Sequence, residues 1–290
     1  MTAALLALHL LLVGVLLPRR LAGSRRLQGR PAVGVAVWLA LMASFGTGLL
    51  LAAHHLLAPL GHEPAGLVGL FPHVEPAAAA PPAHDWWAPA GAALALGAVA
   101  AAVGGRAARQ RRRHREVLDV VAGRDRRHDA LVLDDPRPAV YCLPGRHARV
   151  VVSRGALELL GERQLAAAVA HEHGHIRGRH HLVRVVADTF ALVLGPLPLA
   201  RTGGAEVALL LEMAADDAAL TEVTRTELAS ALCALAAGPA PGPTLAAATT
   251  GVLPRVRRLA RPAPGTPTAW RLAAASAPVL PYLLACAPHP

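Results

Sequence analysis

The sequence predicts an α+β membrane protein: three to five transmembrane helices and a cytoplasmic, mainly helical domain that carries a small β-sheet. Three observations lead to this fold class. The 290 residues are 54% hydrophobic with a mean hydropathy of +0.40, which is too apolar for an ordinary soluble domain. Several apolar runs approach or exceed the length of a membrane span. Between them lies a polar region with short β-type runs and the pattern HExxH at 171–175.

The apolar runs predict spans at about residues 2–17, 32–60 and 88–105, an N-terminal transmembrane region over 1–105, and a C-terminal transmembrane segment at 271–290. The first run only just reaches spanning length. Because Arg19 and Arg20 follow it and no basic residue precedes it, we expect an uncleaved anchor rather than a signal peptide. Pro278 and Pro281 make the last span the weakest of the four.

Arginines flanking the spans predict their orientation. Five arginines (19, 20, 25, 26 and 30) lie between the first two spans, and an arginine-rich run at 106–115 follows the third. Cytoplasmic loops concentrate Lys and Arg, so both segments are expected in the cytoplasm, and the connection 61–87, which has neither, outside. The absence of lysine and the excess of Ala, Arg, Pro and Gly are typical of a GC-rich bacterium. These features predict a multi-pass protein of the bacterial cell membrane whose domain at 106–270 faces the cytoplasm.

The net charge of +10 does not indicate a nucleic-acid partner. Its arginines cluster beside the predicted spans, where anionic lipid headgroups and orientation explain them. Aromatic residues make up only 3% of the chain, too few for base stacking. The three cysteines have neither metal-ligand spacing nor a disulfide pattern. The lipid bilayer is therefore an expected partner, nucleic acid is not, and no oligomeric state is predicted.

The region 106–270 reads as a sheet followed by helices. A short helix is expected at Glu116–Ala122, strands at Ala130–Leu133, Ala139–Leu143 and Arg149–Ser153, and helices from Gly155 onward. An outer strand of this sheet could pair with an extended substrate, or the sheet could only pack against a helix. The apolar run 182–200, broken by Gly195-Pro-Leu-Pro198, predicts a buried or membrane-dipping helix.

The HExxH run is the strongest indication of chemistry. His171 and His175 are four residues apart and project from one helix face, so both imidazoles can reach one ion. Zn²⁺ suits such nitrogen ligands, and Glu172 is then the expected catalytic base beside a water. The pattern implies hydrolysis of a peptide bond. The alternative is a solvated, histidine-rich helix end, and Gly174 argues mildly against a helix here.

A wider order of motifs resembles two families of membrane-bound gluzincin peptidases. Tyr-Cys-Leu-Pro-Gly (141–145), Arg-Val-Val-Val-Ser (149–153), the HExxH run and Glu212-Met-Ala-Ala-Asp216 follow the order of M48 (Ste24/HtpX-like) and M56 (BlaR1-like) members over roughly 115–260. The run 254–259 also resembles M56 members. The resemblance implies a zincin domain in which Glu212 is the third zinc ligand and Asp216 orients a ligand histidine. It also implies a zinc metalloendopeptidase acting on membrane proteins or cytoplasmic regulatory proteins.

Several alternatives stay open at this point. The longer spacing HExxHxxGxxH is also satisfied and would make His181 the third ligand, as in metzincins. Tyr141, His180 and Arg154 are conceivable oxyanion partners. A non-catalytic zinc-binding scaffold or sensor would need a fourth ligand near the motif, and a transporter would need more polar groups than the histidines at 9, 54 and 55. The intact Glu172 favours an enzyme over both.

Overall fold

The computed structural model describes residues 2–57, 87–125, 129–145, 148–238, 251–261 and 267–285, and these are mostly helical. The predicted external connection therefore lies, apart from Trp87, outside the described residues. The N-terminal half contains α1 (Thr2–Leu11), a π-helical turn (Leu12–Leu16), α2 (Leu17–Leu21), α3 (Arg25–Gly29), α4 (Pro31–Leu57) and α5 (Trp87–Val121).

Among the described residues, two helical stretches are long and apolar enough to cross a membrane, Ala3–Leu21 and Pro31–His54. They coincide with the first two predicted spans. The two stretches pack against each other, and buried His9 of α1 places Nε2 3.2 Å from the hydroxyl of Ser44 on α4. This contact satisfies a polar side chain inside an otherwise apolar helix pair. Further spans stay a prediction.

One continuous helix joins the predicted third span to the arginine-rich segment. The 35-residue α5 contains both 88–105 and most of the expected short helix at 116–122. The prediction of a separate short helix was wrong, because the charged segment between them is itself helix-forming. An Arg112–Glu116 ion pair of 3.0 Å, one turn apart, supports the helix there.

A four-stranded sheet follows α5. Its strands are β1 (Gly123–Asp125), β2 (Ala130–Leu133), β3 (Val140–Leu143) and β4 (Arg149–Ser153), in the order β1-β2-β4-β3. β2 runs parallel to β4, and the other neighbours are antiparallel, with Val140 opposite Val152. The three predicted strands are confirmed, and β1 is an addition. β3 is an outer strand, and it packs against the helix that carries the HExxH run.

In its described residues the central region continues with α6 (Arg154–Leu159), α7 (Glu162–Arg177), α8 (His180–Leu194), α9 (Pro198–Ala219), α10 (Arg225–Ala237) and α11 (Val252–Ala260). The apolar run 182–200 forms most of α8, a turn at 195–197 and the start of α9. α8 packs against α5 and α9 and leaves Leu182, Val186 and Leu192 exposed. Its insertion into a bilayer stays a prediction.

The C-terminal segment is not one continuous helix in its described part. It consists of α12 (Thr268–Ser276) and α13 (Leu280–Ala285), of nine and six residues. The chain turns between them around Pro278, which lacks a backbone N–H and interrupts helical hydrogen bonding. Each helix is shorter than the about 20 residues that a spanning helix needs. Both pack against α4, and the predicted membrane crossing at 271–290 stays a prediction.

Helix α9 links the apolar N-terminal helices to the HExxH helix, because it packs against both α4 and α7. A Cβ at Gly203 would lie 2.8 Å from Met42 Cε and 3.2 Å from the Trp38 ring, so this glycine allows close packing of α9 on α4. The shared core is formed by Trp38, Leu41, Met42, Phe45, Leu199, Val207, Leu210 and Met213. The position of α9 is thus set by the membrane-type helices on one side and by α7 on the other.

Candidate active site

Helix α7 presents the histidine pair. Its alanine-rich first half favours helix strongly, and Leu165 and Val169 bury one face against the sheet. The helix continues through the HExxH run to Arg177, so the motif lies on a helix as its spacing predicted. The Nε2 atoms of His171 and His175 lie 3.2 Å apart.

Gly174 has a packing role that sequence reasoning missed. A Cβ at this position would lie 2.9 Å from the carbonyl oxygen of Ala215 and 3.1 Å from its Cα. Those are backbone atoms of α9, which cannot easily move away. The glycine inside the motif therefore does not break α7 but lets α7 and α9 approach each other closely, at a modest cost in helix propensity.

This close approach brings Glu212 of α9 to the two histidines. Glu212 Oε2 lies 3.3 Å from His171 Nε2, and Oε1 lies 3.4 Å from His175 Nε2. One ligand atom from each of the three residues lies within 4.8 Å of the others. Two ligands of a tetrahedral zinc, each about 2.0–2.1 Å from the ion, are about 3.3 Å apart. The two nitrogens and one carboxylate therefore fit Zn²⁺ in both chemistry and spacing.

Asp216 and Arg255 form hydrogen bonds to members of this group. Asp216 is fully buried, and its Oδ1 lies 3.0 Å from His171 Nδ1, the ring nitrogen that faces away from Glu212. Arg255 of α11 is 4% exposed and donates to Asp216 at 2.6 and 2.9 Å and to Glu212 at 2.9 Å. One guanidinium therefore pairs with two carboxylates and offsets one of their two negative charges. Sequence reasoning missed Arg255, although it lies in the 254–259 run that carried part of the resemblance.

The charges of this group follow from its hydrogen bonds. Burial lowers the pKa of His171, but hydrogen bonds to Asp216 and Glu212 outweigh burial and raise that pKa to about 9. Burial raises the pKa of Glu212, but hydrogen bonds from His171 and His175 outweigh it and hold the pKa well below its usual range. The pKa of Asp216 is lowered in the same way by His171 and Arg255. Both carboxylates are thus anionic at neutral pH.

Glu172 borders a small, mostly apolar cavity of about 140 Å³. His171, Glu212 and Arg255 also line it, and its apolar walls come from β3, α7, α10 and α11: Val140, Ala168, Leu228, Ala231, Leu232, Leu235 and Val252. Cys142 of β3 lies close to Glu172, and burial together with the Glu172 charge raises the pKa of its thiol well above the usual value. The thiol is therefore protonated beside the Glu172 carboxylate.

A larger cleft of about 730 Å³ also borders the group. His175 and Glu212 line it together with Cys142, His180, His181, Arg184 and Glu206. Glu212 borders both cavities. The three-residue group therefore borders both a small, mostly apolar cavity and a wider cleft, an arrangement that leaves room for a bound molecule next to it.

The remaining predicted residues are placed as follows. His181, the alternative third ligand, lies outside the His171–His175–Glu212 group, and its buried Nδ1 has no hydrogen-bond partner among the described residues. Tyr141 bonds to His114 at 3.0 Å, and Arg154 bonds to Asp134 at 2.6 Å. Neither residue lines the two cavities. His180 lies at the site, with Nδ1 2.9 Å from His175 Nδ1.

A family model and several curated proteins match this chain. The model of peptidase family M48 matches residues 107–277, which is more than half of the chain. A "Protease HtpX homolog" of Aquifex aeolicus is 39% identical over 72 residues, 21% of this chain and 24% of that protein. A protein of the same name from Trichormus variabilis is 40% identical over 68 residues, 19% of this chain and 24% of that protein.

A third such homologue, from Tropheryma whipplei strain Twist, is 33% identical over 67 residues, 22% of each chain. The chain thus matches less than a quarter of the length of these curated relatives. No solved structure is a significant match. The M48 family model nonetheless extends from α5 to α12 and includes the whole histidine and carboxylate group. Because this family model covers more than half of the chain, the chain belongs to peptidase family M48.

Proposed function

We propose that this protein is a membrane-integrated zinc metalloendopeptidase that hydrolyses peptide bonds of membrane or cytoplasmic regulatory proteins. The observation that carries the proposal is the convergence of His171, His175 and Glu212 between two cavities, with Glu172 lining the smaller one. We assign the first three residues as zinc ligands and Glu172 as the catalytic base.

The open sides of the group favour catalysis over the scaffold alternative. A structural zinc site is usually closed by four protein ligands, whereas a catalytic site keeps one position for water or substrate. Among the described residues, the group that could hold a metal ion has three members, His171, His175 and Glu212, and both cavities are lined by members of this group. Bound zinc would supply Lewis acidity, which activates water and polarises a carbonyl.

In this proposal Glu172 transfers protons, and Asp216 and Arg255 position the other side chains of the site. Glu172 accepts a proton from the attacking water and donates it to the leaving amine as the peptide bond breaks. Asp216 accepts a hydrogen bond from His171 Nδ1 and so directs Nε2 toward Glu212. Arg255 pairs with both Asp216 and Glu212, and its Nη2 also lies 3.3 Å from both ring nitrogens of His171, so this guanidinium holds the two carboxylates and the His171 ring in place.

The small cavity favours an apolar side chain next to the scissile bond. Most of the residues that line it are Ala, Val and Leu, and each Å² of apolar surface removed from water contributes about 25 cal/mol. Apolar specificity is also compatible with substrates that lie in or near the bilayer. We therefore propose membrane proteins as the principal substrate class.

The proposed orientation of the protein in the membrane rests on the distribution of its arginines. The described arginine-rich part of α5 continues directly from the apolar residues of the third predicted span. Such clusters concentrate on the cytoplasmic side of spans. We propose a multi-pass protein of the bacterial cell membrane with its active site facing the cytoplasm.

The test is cleavage of a co-expressed membrane-protein reporter together with zinc content, for full-length protein purified in detergent. Glu172→Gln should lower cleavage by about 10²–10⁴-fold, because general-base catalysis is lost, while zinc stays stoichiometric. Glu212→Ala should lose zinc. Glu222→Gln, which removes an exposed carboxylate paired with Arg177, is the matched control and should do neither. Wild-type protein without zinc, or full cleavage by Glu172→Gln, would contradict the proposal.

A further inference from the structure

The chain between α7 and α8 brings a third histidine to the motif. α7 ends at Arg177, Gly178 follows, and Arg179 adopts a left-handed backbone conformation with φ 48° and ψ 37°. Non-glycine residues rarely adopt this conformation. The bend places His180 at the first position of α8 with its ring against His175, at a centroid distance of 4.9 Å and an interplanar angle of 89°.

The contact between the two rings is a hydrogen bond between specific atoms. His180 Nδ1 lies 2.9 Å from His175 Nδ1. The other ring nitrogen of His175, Nε2, faces His171 Nε2 at 3.2 Å and Glu212 at 3.4 Å. His175 therefore uses one nitrogen inside the proposed zinc group and the other outside it, as His171 does with Asp216.

The direction of the hydrogen bond follows from the chemistry of imidazole. A nitrogen that binds a metal must offer its lone pair, so a neutral His175 that presents Nε2 carries its proton on Nδ1. That N–H is the donor, and His180 Nδ1 is the acceptor. His180 then carries its own proton on Nε2. Partners of this kind fix the tautomer and ring orientation of a metal-binding histidine.

Gly178 supplies the space that this contact requires. A Cβ at Gly178 would overlap His180 Nε2, and it would lie 2.5 Å from His180 Cδ2. The His180 ring could avoid that clash only by moving, which would break its contact with His175. The glycine in the HExxHxxGxxH spacing is thus explained by the ring of His180 rather than by metal binding of His181.

We propose that His180 is a positioning residue: it accepts a hydrogen bond from His175 Nδ1 and thereby holds His175 Nε2 toward the metal, with Gly178 giving its ring room. The proposal rests on the proposed zinc site, but not on the identity of the substrate. It assigns a role to one of the three residues that the sequence offered only as oxyanion partners.

The test compares zinc dissociation constants, measured by chelator competition, for full-length variants in detergent. Asn and Gln carry the same amide, but Asn Oδ1 occupies the place of His Nδ1, whereas Gln Oε1 lies one bond further out. His180→Ala and His180→Gln should bind zinc about 10–100-fold more weakly. His180→Asn should retain nearly wild-type affinity, and Gly178→Ala should resemble His180→Ala. His181→Ala, the neighbouring histidine, is the control and should bind zinc as wild type does.

Unchanged affinity in His180→Ala, or equal affinities in His180→Asn and His180→Gln, would overturn the positioning role. If His180→Ala does not fold, the Asn and Gln pair still decides. The readout also separates the two proposals. A wild type that binds zinc but cleaves no peptide bond refutes the proposed function alone, and the affinities of the His180 variants then still support or overturn the positioning role. A wild type that binds no zinc overturns both.

Discussion

His171 and His175 lie one turn apart on the same helix, yet their rings are held by different means. His171 is 6% exposed and bonds to the buried Asp216, which in turn bonds to Arg255. Arg255 is 84 residues further along the chain. His175 is half-buried, and its outer nitrogen contacts His180, only five residues away. One support is ionic and distant in sequence, whereas the other is uncharged and local.

The difference implies separate consequences for folding and for metal binding. The supports of His171 are buried charges, and a buried charge that loses its partner destabilises the whole fold. The support of His175 is a neutral hydrogen bond in a partly exposed turn, so its loss leaves no unpaired charge. Changes around His171 should therefore lower stability and zinc affinity together, and changes around His180 should lower mainly zinc affinity.

The largest effect is expected for Arg255→Leu. The substitution removes the cation from buried Asp216 and should lower the free energy of unfolding by about 3–5 kcal/mol. Denaturant unfolding in detergent measures this change. Arg257→Leu is the matched control, since Arg257 lies two residues away on the same helix and is exposed; it should stay within about 0.5 kcal/mol of wild type. Equal stability of the two variants would show that the ion pairs of Arg255 do not support the fold around His171.

Asp216→Asn should have the next largest effect. The amide keeps the shape of the side chain, but it weakens both the contact with His171 and the pairing with Arg255. Zinc affinity should fall about 10–100-fold, and thermal stability should fall as well. Asp217→Asn changes the adjacent carboxylate, which is exposed and pairs with Arg258, and it should leave zinc affinity unchanged. If Asp216→Asn lowers zinc affinity but not thermal stability, the contact of His171 with Asp216 has the same kind of role as the contact of His175 with His180.

Gly174→Ala tests the approach of α7 to α9, which both histidines share. The added methyl group would lie 2.9 Å from the Ala215 carbonyl oxygen, and forcing it into this packed contact should cost about 1–3 kcal/mol of stability. Gly204→Ala is the control, because a Cβ there would meet only Ala191 Cβ at 3.9 Å. It should be neutral or stabilising by up to about 1 kcal/mol. An equal response of the two glycines would show that the interhelical distance does not depend on Gly174.

The sequence predicted the parts of the site that depend on local spacing. HExxH placed His171, Glu172 and His175 on one helix, and the resemblance to known families pointed to Glu212 and Asp216, which the structure brings to the same place. Their roles in catalysis and metal binding stay predictions. Arg255 was not predicted, because its partners Asp216 and Glu212 lie 39 and 43 residues away in the sequence. The sequence suggested His180 only as an oxyanion partner. Its contact with His175 depends on the left-handed conformation of Arg179, which no sequence pattern predicts.

The fold shows the same limit. Runs such as Arg149-Val-Val-Val-Ser153 alternate with turn residues and were predicted correctly as strands. β1 was missed because Gly-Arg-Asp has no hydrophobic pattern, and it is a strand only by pairing with β2. The unbroken α5 was missed because its apolar and charged halves were considered separately.

The distance in sequence between Asp216 and Arg255 also sets an order of events during translation. A ribosome completes both histidines and both carboxylates 39 residues before it adds the guanidinium that neutralises Asp216. Until then the nascent chain contains every group expected to hold the metal, but Asp216, which becomes buried, still lacks its guanidinium partner. The histidine and carboxylate group therefore cannot reach its final arrangement until α11 has been synthesised, which delays its completion until nearly the whole M48 region exists.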